Sequence, residues 1–248
     1  MLTDLSVPQL ALIAAVAVLT SIIGGLAGYG TGALMPLVLV PIVGPEPVVP
    51  IVALSALLTN TSRAAAFRAS IDWWRAAVIL VAATPTCVLG AWGFTTLNGR
   101  EIMILIGLMM LASVPLRRLA LHHGFTLKDR PLAAASALWG VIVGGTTGAG
   151  IILLSMLLAA GLQGAAVIAT DAAISVVVGI VKVAVFGVAG VVGAREVAIA
   201  LLIGLAAFPG AFVAKRLVDR LPLRAHIAIL DAVVAAGGGA MVVGALTR

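Results

Sequence analysis

The chain has 248 residues, 62% of them hydrophobic and only 10% charged, with a mean hydropathy of +1.25. That composition excludes an ordinary soluble globular domain. The formal charge of +6 does not point to nucleic acid, because the basic residues lie in short clusters between apolar runs and not in a patch interleaved with aromatics.

The N-terminus, MLTDLSVPQ, carries Asp4 and no Lys or Arg. It lacks the basic region of a signal peptide, so the first apolar run is expected to stay in the mature protein. In chain order the apolar runs predict ten segments, at 7–23, 31–43, 48–68, 74–95, 101–118, 131–148, 150–160, 164–188, 195–214 and 223–245. Most are close to the ~20 residues a helix needs to cross about 30 Å of hydrocarbon. None shows the polar/apolar alternation over about ten residues that marks strands of a membrane barrel. The second and seventh are below the roughly 17 residues that span easily, and either crossing or re-entry is open for them. The expected fold is an all-α integral membrane protein with eight to ten crossings.

Between segments 1 and 2 the chain reads GGLAGYGTGALMP, with five glycines from Gly24 to Gly32. A second such stretch, GGTTGAG, occupies 144–150, and Gly24, Gly25, Gly28 and Gly30 recur as Gly144, Gly145, Gly148 and Gly150 at a constant offset of 120. After each come a short apolar segment, a glycine (Gly44, Gly161) and a long helix. Residues 1–118 and 131–248 therefore read as two copies of a five-segment unit, joined by the basic linker 119–130. An odd number of segments per copy inverts one copy against the other, the design of many secondary transporters, whose substrate site lies near the midplane between the repeats. Glycines there break the helix and free N–H groups for an anion, or let helices pack closely.

Arg68 and Arg75, then Arg117, Arg118, Lys128 and Arg130, then Lys215, Arg216, Arg220 and Arg224 fall in loops of one parity. By the positive-inside rule these loops are cytoplasmic and both termini face outward.

Segment 3 contains SALLTNTSRAAAF, in which Ser55, Thr59, Ser62 and Arg63 share a helical face. A charge inside a membrane segment is expensive unless it meets protein or water, so Arg63 is a candidate anion contact, with snorkelling to the interface as the competing reading. Segment 8 carries Asp171 and Lys182 on one face, about 16 Å apart along the axis and so unable to pair directly. Lys182, near the far end of its segment as Arg63 is of its own but toward the opposite membrane face, is weighed in the same two ways. Asp171, and with weaker placement Asp231 in segment 10, read as carboxylates that are paired, protonated or proton-carrying, and so as candidates for proton coupling. Asp72 in SIDWWR reads as a helix cap with Trp73 and Trp74 as interfacial anchors. Cys87 reads as a small core residue, and His122, His123 and His226 as solvated loop positions. The expected substrate contacts are Gly28, Tyr29, Gly30, Thr31, Thr59, Asn60, Ser62, Arg63, Thr147, Gly148, Gly150 and Lys182. No metal site or cofactor is expected.

The chain resembles the TauE/SafE family, also called TSUP, of sulfite and organosulfur anion transporters. The resemblance is carried by GGLAGYGTGALMP, SALLTNTSRAAAF, SIDWWR, PTCVLGAWG, GGTTGAGIILLS and FPGAFVAKRL. It implies a multi-pass protein of the bacterial inner membrane that moves sulfite, sulfonates or related anions, coupled to protons or cations, by alternating access. The partners expected are the small anion and the lipid bilayer, with no nucleic acid; oligomeric state is open. Two other readings stay open, an accessory membrane subunit that binds a partner and an intramembrane enzyme.

Overall fold

The computed structural model describes residues 5–27, 31–122, 127–217 and 223–247, apart from the side chains of 24–27, 31, 33, 117–122, 211, 215, 217 and 223–233. Among the described residues the fold is all helical. In order, the helices are α1 (Val7–Ala27), α2 (Thr31–Val43), α3 (Val48–Ala66), α4 (Trp73–Phe94), α5 (Gly99–His122), α6 (Asp129–Gly145), α7 (Gly150–Ala159), α8 (Ala165–Val188), α9 (Ala194–Ala207), α10 (Gly210–Leu217) and α11 (Leu223–Leu246), with a single 3-10 turn at Arg68–Ser70.

Five stretches of the described residues are long and apolar enough to cross a membrane: α3, α4, the first 18 residues of α5, α8, and the run from α9 into α10. Their surroundings agree with their composition. Val81, Leu89, Leu138, Val188 and Leu205 point outward, while Ser55, Ser62, Ser136, Thr170, Asp171 and Lys182 are buried. An outer surface of leucine and valine over a core that holds charges belongs to a protein whose solvent is hydrocarbon.

Helix α3 packs on α8; α4 packs on α6 and α8; α9 packs on α1 and α3; α10 packs on α1; α5 packs on α7 and α11. The closest contact is α4 with α6. A Cβ placed at Gly144 would collide with the Cys87 carbonyl and lie 2.8 Å from the Ala91 nitrogen, and one at Gly140 would lie 2.9 Å from the Ala83 Cα. Small residues along both helices let the backbones touch, the means by which membrane helices gain van der Waals energy when no hydrophobic effect separates them from lipid. Cys87 is fully buried in this contact, as a small core residue.

The ninth segment departs from the expected single helix over 195–214. It ends at Ala207 and restarts at Gly210, with Phe208 and Pro209 between. Pro85, in the same Ala-Ala-x-Pro context, lies inside an unbroken α4. Pro36 and Pro41 in α2 and Pro115 in α5 likewise lie inside unbroken helices, so a proline by itself does not end a helix here. A proline leaves carbonyls of the preceding turn without a donor. In α4 the Thr86 hydroxyl donates to the Ala83 carbonyl at 3.0 Å and reaches the Ala82 carbonyl at 3.4 Å. Gly210 has no such side chain, and its place against α1 leaves no room for one, since a Cβ there would lie 2.7 Å from the Ser21 Cβ. The exposed carbonyls are satisfied from other helices: Ser21 donates to Ala207 at 2.5 Å and Ser62 to Phe208 at 2.6 Å. Hydropathy averaging over the segment carries no trace of this.

At the start of α4, Asp72 is the expected cap, accepting from the Arg75 N–H at 2.9 Å. Its carboxylate also pairs with the Arg75 guanidinium at 2.6 Å, and its own N–H donates to the Thr170 hydroxyl of α8 at 2.9 Å. The backbone N–H of Arg75, opposed by partial burial and helped by the guanidinium, holds the Asp72 carboxyl below its ordinary value of 3.8. A folded-state value below the unfolded one stabilises the fold above pH 3.8 and ceases to do so as pH falls through the lower folded value. Asp72→Ala should therefore lower stability by about 1 kcal/mol at neutral pH. Thermal unfolding in detergent should show the gap to wild type closing on acidification below pH 3.8.

Candidate functional site

The second glycine stretch performs two jobs in sequence. Gly144 packs the last turn of α6 against α4, and residues 146–149 then separate α6 from α7, with Thr146 extended and Gly148 at φ +81°, a conformation that costs other residues. The chain turns back as α7. The Leu127 N–H donates to the Ala159 carbonyl at 2.6 Å, and Arg75 Nε donates to the Ala160 carbonyl at 2.9 Å. Thus α7 ends at the level where α6 begins, and the two form a hairpin. At 1.5 Å per residue, α6 reaches about 25 Å from that end and α7 only about 15 Å. The N-terminus of α7 therefore opens roughly half-way through the bundle. Trp139, buried on α6, fixes this depth by donating from Nε1 to the Ala149 carbonyl at 2.9 Å.

Several carbonyls of the break are taken. Lys182 Nζ donates to Val143 at 2.7 Å and to Thr146 at 2.8 Å. Lys182 thus serves the negative end of α6 and does not snorkel outward; it is only 6% exposed. The donors are not taken. Among the described residues, no acceptor meets the N–H groups of Gly148, Ala149, Gly150 or Ile151, and the buried Thr147 hydroxyl has no partner. Gly150, the first residue of α7, faces open space.

The start of α2 meets this point. A Cβ on Gly32 would lie 3.3 Å from the Gly148 nitrogen. At its other end α2 leads to Pro45 and Glu46, which pack on Gly99 at the start of α5. The N-termini of two short helices therefore converge at Gly32 and Gly148, and their C-termini diverge to opposite ends of the bundle. Convergent helix N-termini are a site for negative charge.

Arg63 of α3 is buried. Its Nη2 donates to Asp171 Oδ2 of α8 at 2.6 Å and to Asn60 Oδ1 at 2.8 Å. Asp171 is 1% exposed, and its Oδ1 is buried without a partner among the described residues. This pairing joins residues 108 apart in sequence, and the sequence expectation of a paired Asp171 does not name Arg63 as the partner. The available signal was a buried acid and a buried cation, each lacking a partner in its own segment, on the long helix of each half. Of the other expected contacts, Thr59 bonds its own helix at the Ala56 carbonyl and Ser62 holds the α9 end. Arg63 and Lys182 are not brought together: with Asp171 beside Arg63, they stand about 16 Å apart along α8. Gly28, Tyr29 and Gly30 lie outside the described residues, as do the side chains of Thr31, Asp231, His122 and His226; His123 lies outside them altogether.

A family model described as Sulfite exporter TauE/SafE matches residues 13–241, nearly the whole chain. The chain belongs to the TauE/SafE family. It is a multi-pass membrane protein of a family that transports sulfite and organosulfur anions. No curated protein and no solved structure matched it. Within the TauE/SafE match lie both glycine stretches, Arg63, Asp171 and the α9–α10 break.

Proposed function

We propose that this chain is a secondary transporter that carries a small anion, sulfite or an organic sulfonate, across the bacterial inner membrane by alternating access between two inverted five-segment repeats. The observation that carries the reading is the convergence of the α2 and α7 N-termini at Gly32 and Gly148, with the donors of α7 unsatisfied among the described residues. In this reading Thr147, Gly148 and Gly150 donate to the anion, together with Gly28, Tyr29, Gly30 and Thr31 of the first stretch. Arg63, positioned by Asn60, supplies the positive charge, with Thr59 and Ser62 on its helix face. Lys182 raises the potential at the outer end and secures the break. Both termini face the outside.

The packing supports the repeat. Exchanging α1, α2, α3, α4 and α5 for α6, α7, α8, α9–α10 and α11 converts the α4–α6 contact into the α9–α1 contact, α4–α8 into α9–α3, and α5–α7 into α11–α2, and each of these pairs is present. The α3–α8 and α5–α11 contacts map onto themselves.

The test is flux of labelled sulfite and of a small panel of sulfonates in proteoliposomes holding the purified chain alone. Saturable uptake above empty vesicles is expected for at least one anion. Absence of such flux across the panel would overturn the reading, and flux by the purified chain would exclude a purely accessory role.

A further inference from the structure

We propose that Asp171 is an internal counter-anion of Arg63 which the transported anion displaces, and that the displaced carboxylate then takes one proton, so that anion and proton load together. This rests on the reading of Arg63 as an anion-binding residue.

The geometry carries the step. Arg63 and Asp171 come from the two long helices α3 and α8, which pack on each other at the centre of the bundle. Both are buried, yet the pair is incomplete: one carboxylate oxygen takes the Arg63 Nη2 proton, and the other is buried without a donor among the described residues. An ionised carboxylate offers about four acceptor sites, and a permanent buried pair is stable only when these are well satisfied. An anion that engages the Arg63 guanidinium competes with Asp171 for the same donors. Once released, the carboxylate would be a lone charge among Val167, Ala169, Ala172 and Ile174, all buried. A lone charge in such surroundings neutralises instead of persisting.

Among the described residues, the elements packed on α8 offer Asp171 no rival partner. On α3 the only charged residue is Arg63, and α7 carries none. The 3-10 turn offers Arg68, which is exposed. Helix α4 offers Arg75, already paired with Asp72, and Cys87 further along. On α8 itself, Lys182 is occupied by the Val143 and Thr146 carbonyls.

Before loading, the site holds Arg63 positive and Asp171 negative. After loading with a monoanion, it holds Arg63 positive, the anion negative and Asp171 neutral. The proton comes from the side the anion enters and leaves with it, no covalent bond to the anion forms or breaks, and the net charge of the site is unchanged.

Proteoliposomes carrying the wild-type chain or Asp171→Asn, with an internal pH dye, test this with labelled sulfite. Sulfite itself binds a proton, so the difference between the two proteins at each pH is the readout. In the wild type an inward proton gradient should drive accumulation, and the apparent affinity should gain up to tenfold more per pH unit of acidification than in the variant, as expected for one linked proton. Asp171→Asn should still bind sulfite, more tightly at high pH because no carboxylate competes, and should equilibrate it without accumulation. Asp171→Glu should restore gradient-driven uptake, which separates coupling from a packing role. Gradient-driven accumulation by Asp171→Asn equal to wild type would overturn the coupling and leave the transporter reading intact. Absence of saturable wild-type flux for sulfite and for every sulfonate of the panel would overturn both.

Discussion

Replacing Gly144 with valine should leave no folded, monodisperse protein after extraction in mild detergent. Helices α4 and α6 are in backbone contact there. The first atom of any side chain at 144 would collide with the Cys87 carbonyl oxygen and lie 2.8 Å from the Ala91 nitrogen. Neither obstacle is the free end of a side chain, so relief requires moving α4 bodily away from α6. Moving it would also open the contacts at Gly140, whose Cβ position is 2.9 Å from the Ala83 Cα, and at Gly90, 3.0 Å from the Val141 Cα. Extra methylenes in a well-packed core commonly cost about 1–3 kcal/mol when side chains adjust. A backbone collision repeated along two helix turns belongs at or above the upper end of that range, against a total stability of about 5–15 kcal/mol. Gly144→Ala should lower the unfolding temperature measurably, and Gly144→Val should remove the folded peak from size exclusion. Gly93→Val on the facing helix α4, where nothing lies within 4 Å of the added Cβ, should elute as wild type. Equal behaviour of the variants at 93 and 144 would refute the close approach.

This contact also shows what glycine pattern does and does not say in a membrane sequence. The stretch GGTTGAG is visible as a break, and the length of the segment after it as a hairpin or a short crossing. The division of labour within it is not visible, because Gly144 acts through α4, which is distant in sequence, while Gly148 acts through its own φ of +81°. The apolar runs locate the helices because each must bury or present a continuous apolar length to lipid. They miss the interruption at Phe208–Pro209, since hydropathy does not register an absent N–H, and Pro85 shows that a proline alone does not decide it. The cations were legible as anomalies, but their fates were not. Lys182 turned inward to the carbonyls of α6 and Arg63 to Asp171, partners that only the packing of α8 against α3 and α4 brings near.

Arg63→Met should cost both stability and anion binding, and combining it with Asp171→Asn should return most of the stability and none of the binding. Removing the guanidinium strands the Asp171 carboxylate, 1% exposed, and takes from Asn60 its bonded donor. Breaking one side of a buried ion pair costs about 3–5 kcal/mol, because the remaining charge has neither water nor partner, whereas replacing both sides with neutral groups is often near neutral. An asparagine at 171 has nearly the same shape and no charge to strand. Thermal unfolding should therefore place the double variant close to wild type and the single variant well below it. Titration with the anion that the flux assay selects should give binding only in the wild type, since methionine offers no donor in either variant. Wild-type binding by the double variant would remove Arg63 from the anion site while leaving its pairing with Asp171 as a structural fact. Unchanged stability in the single variant would mean instead that the ion pair does not form in the membrane-extracted protein, and that the carboxylate is already neutral before any anion arrives.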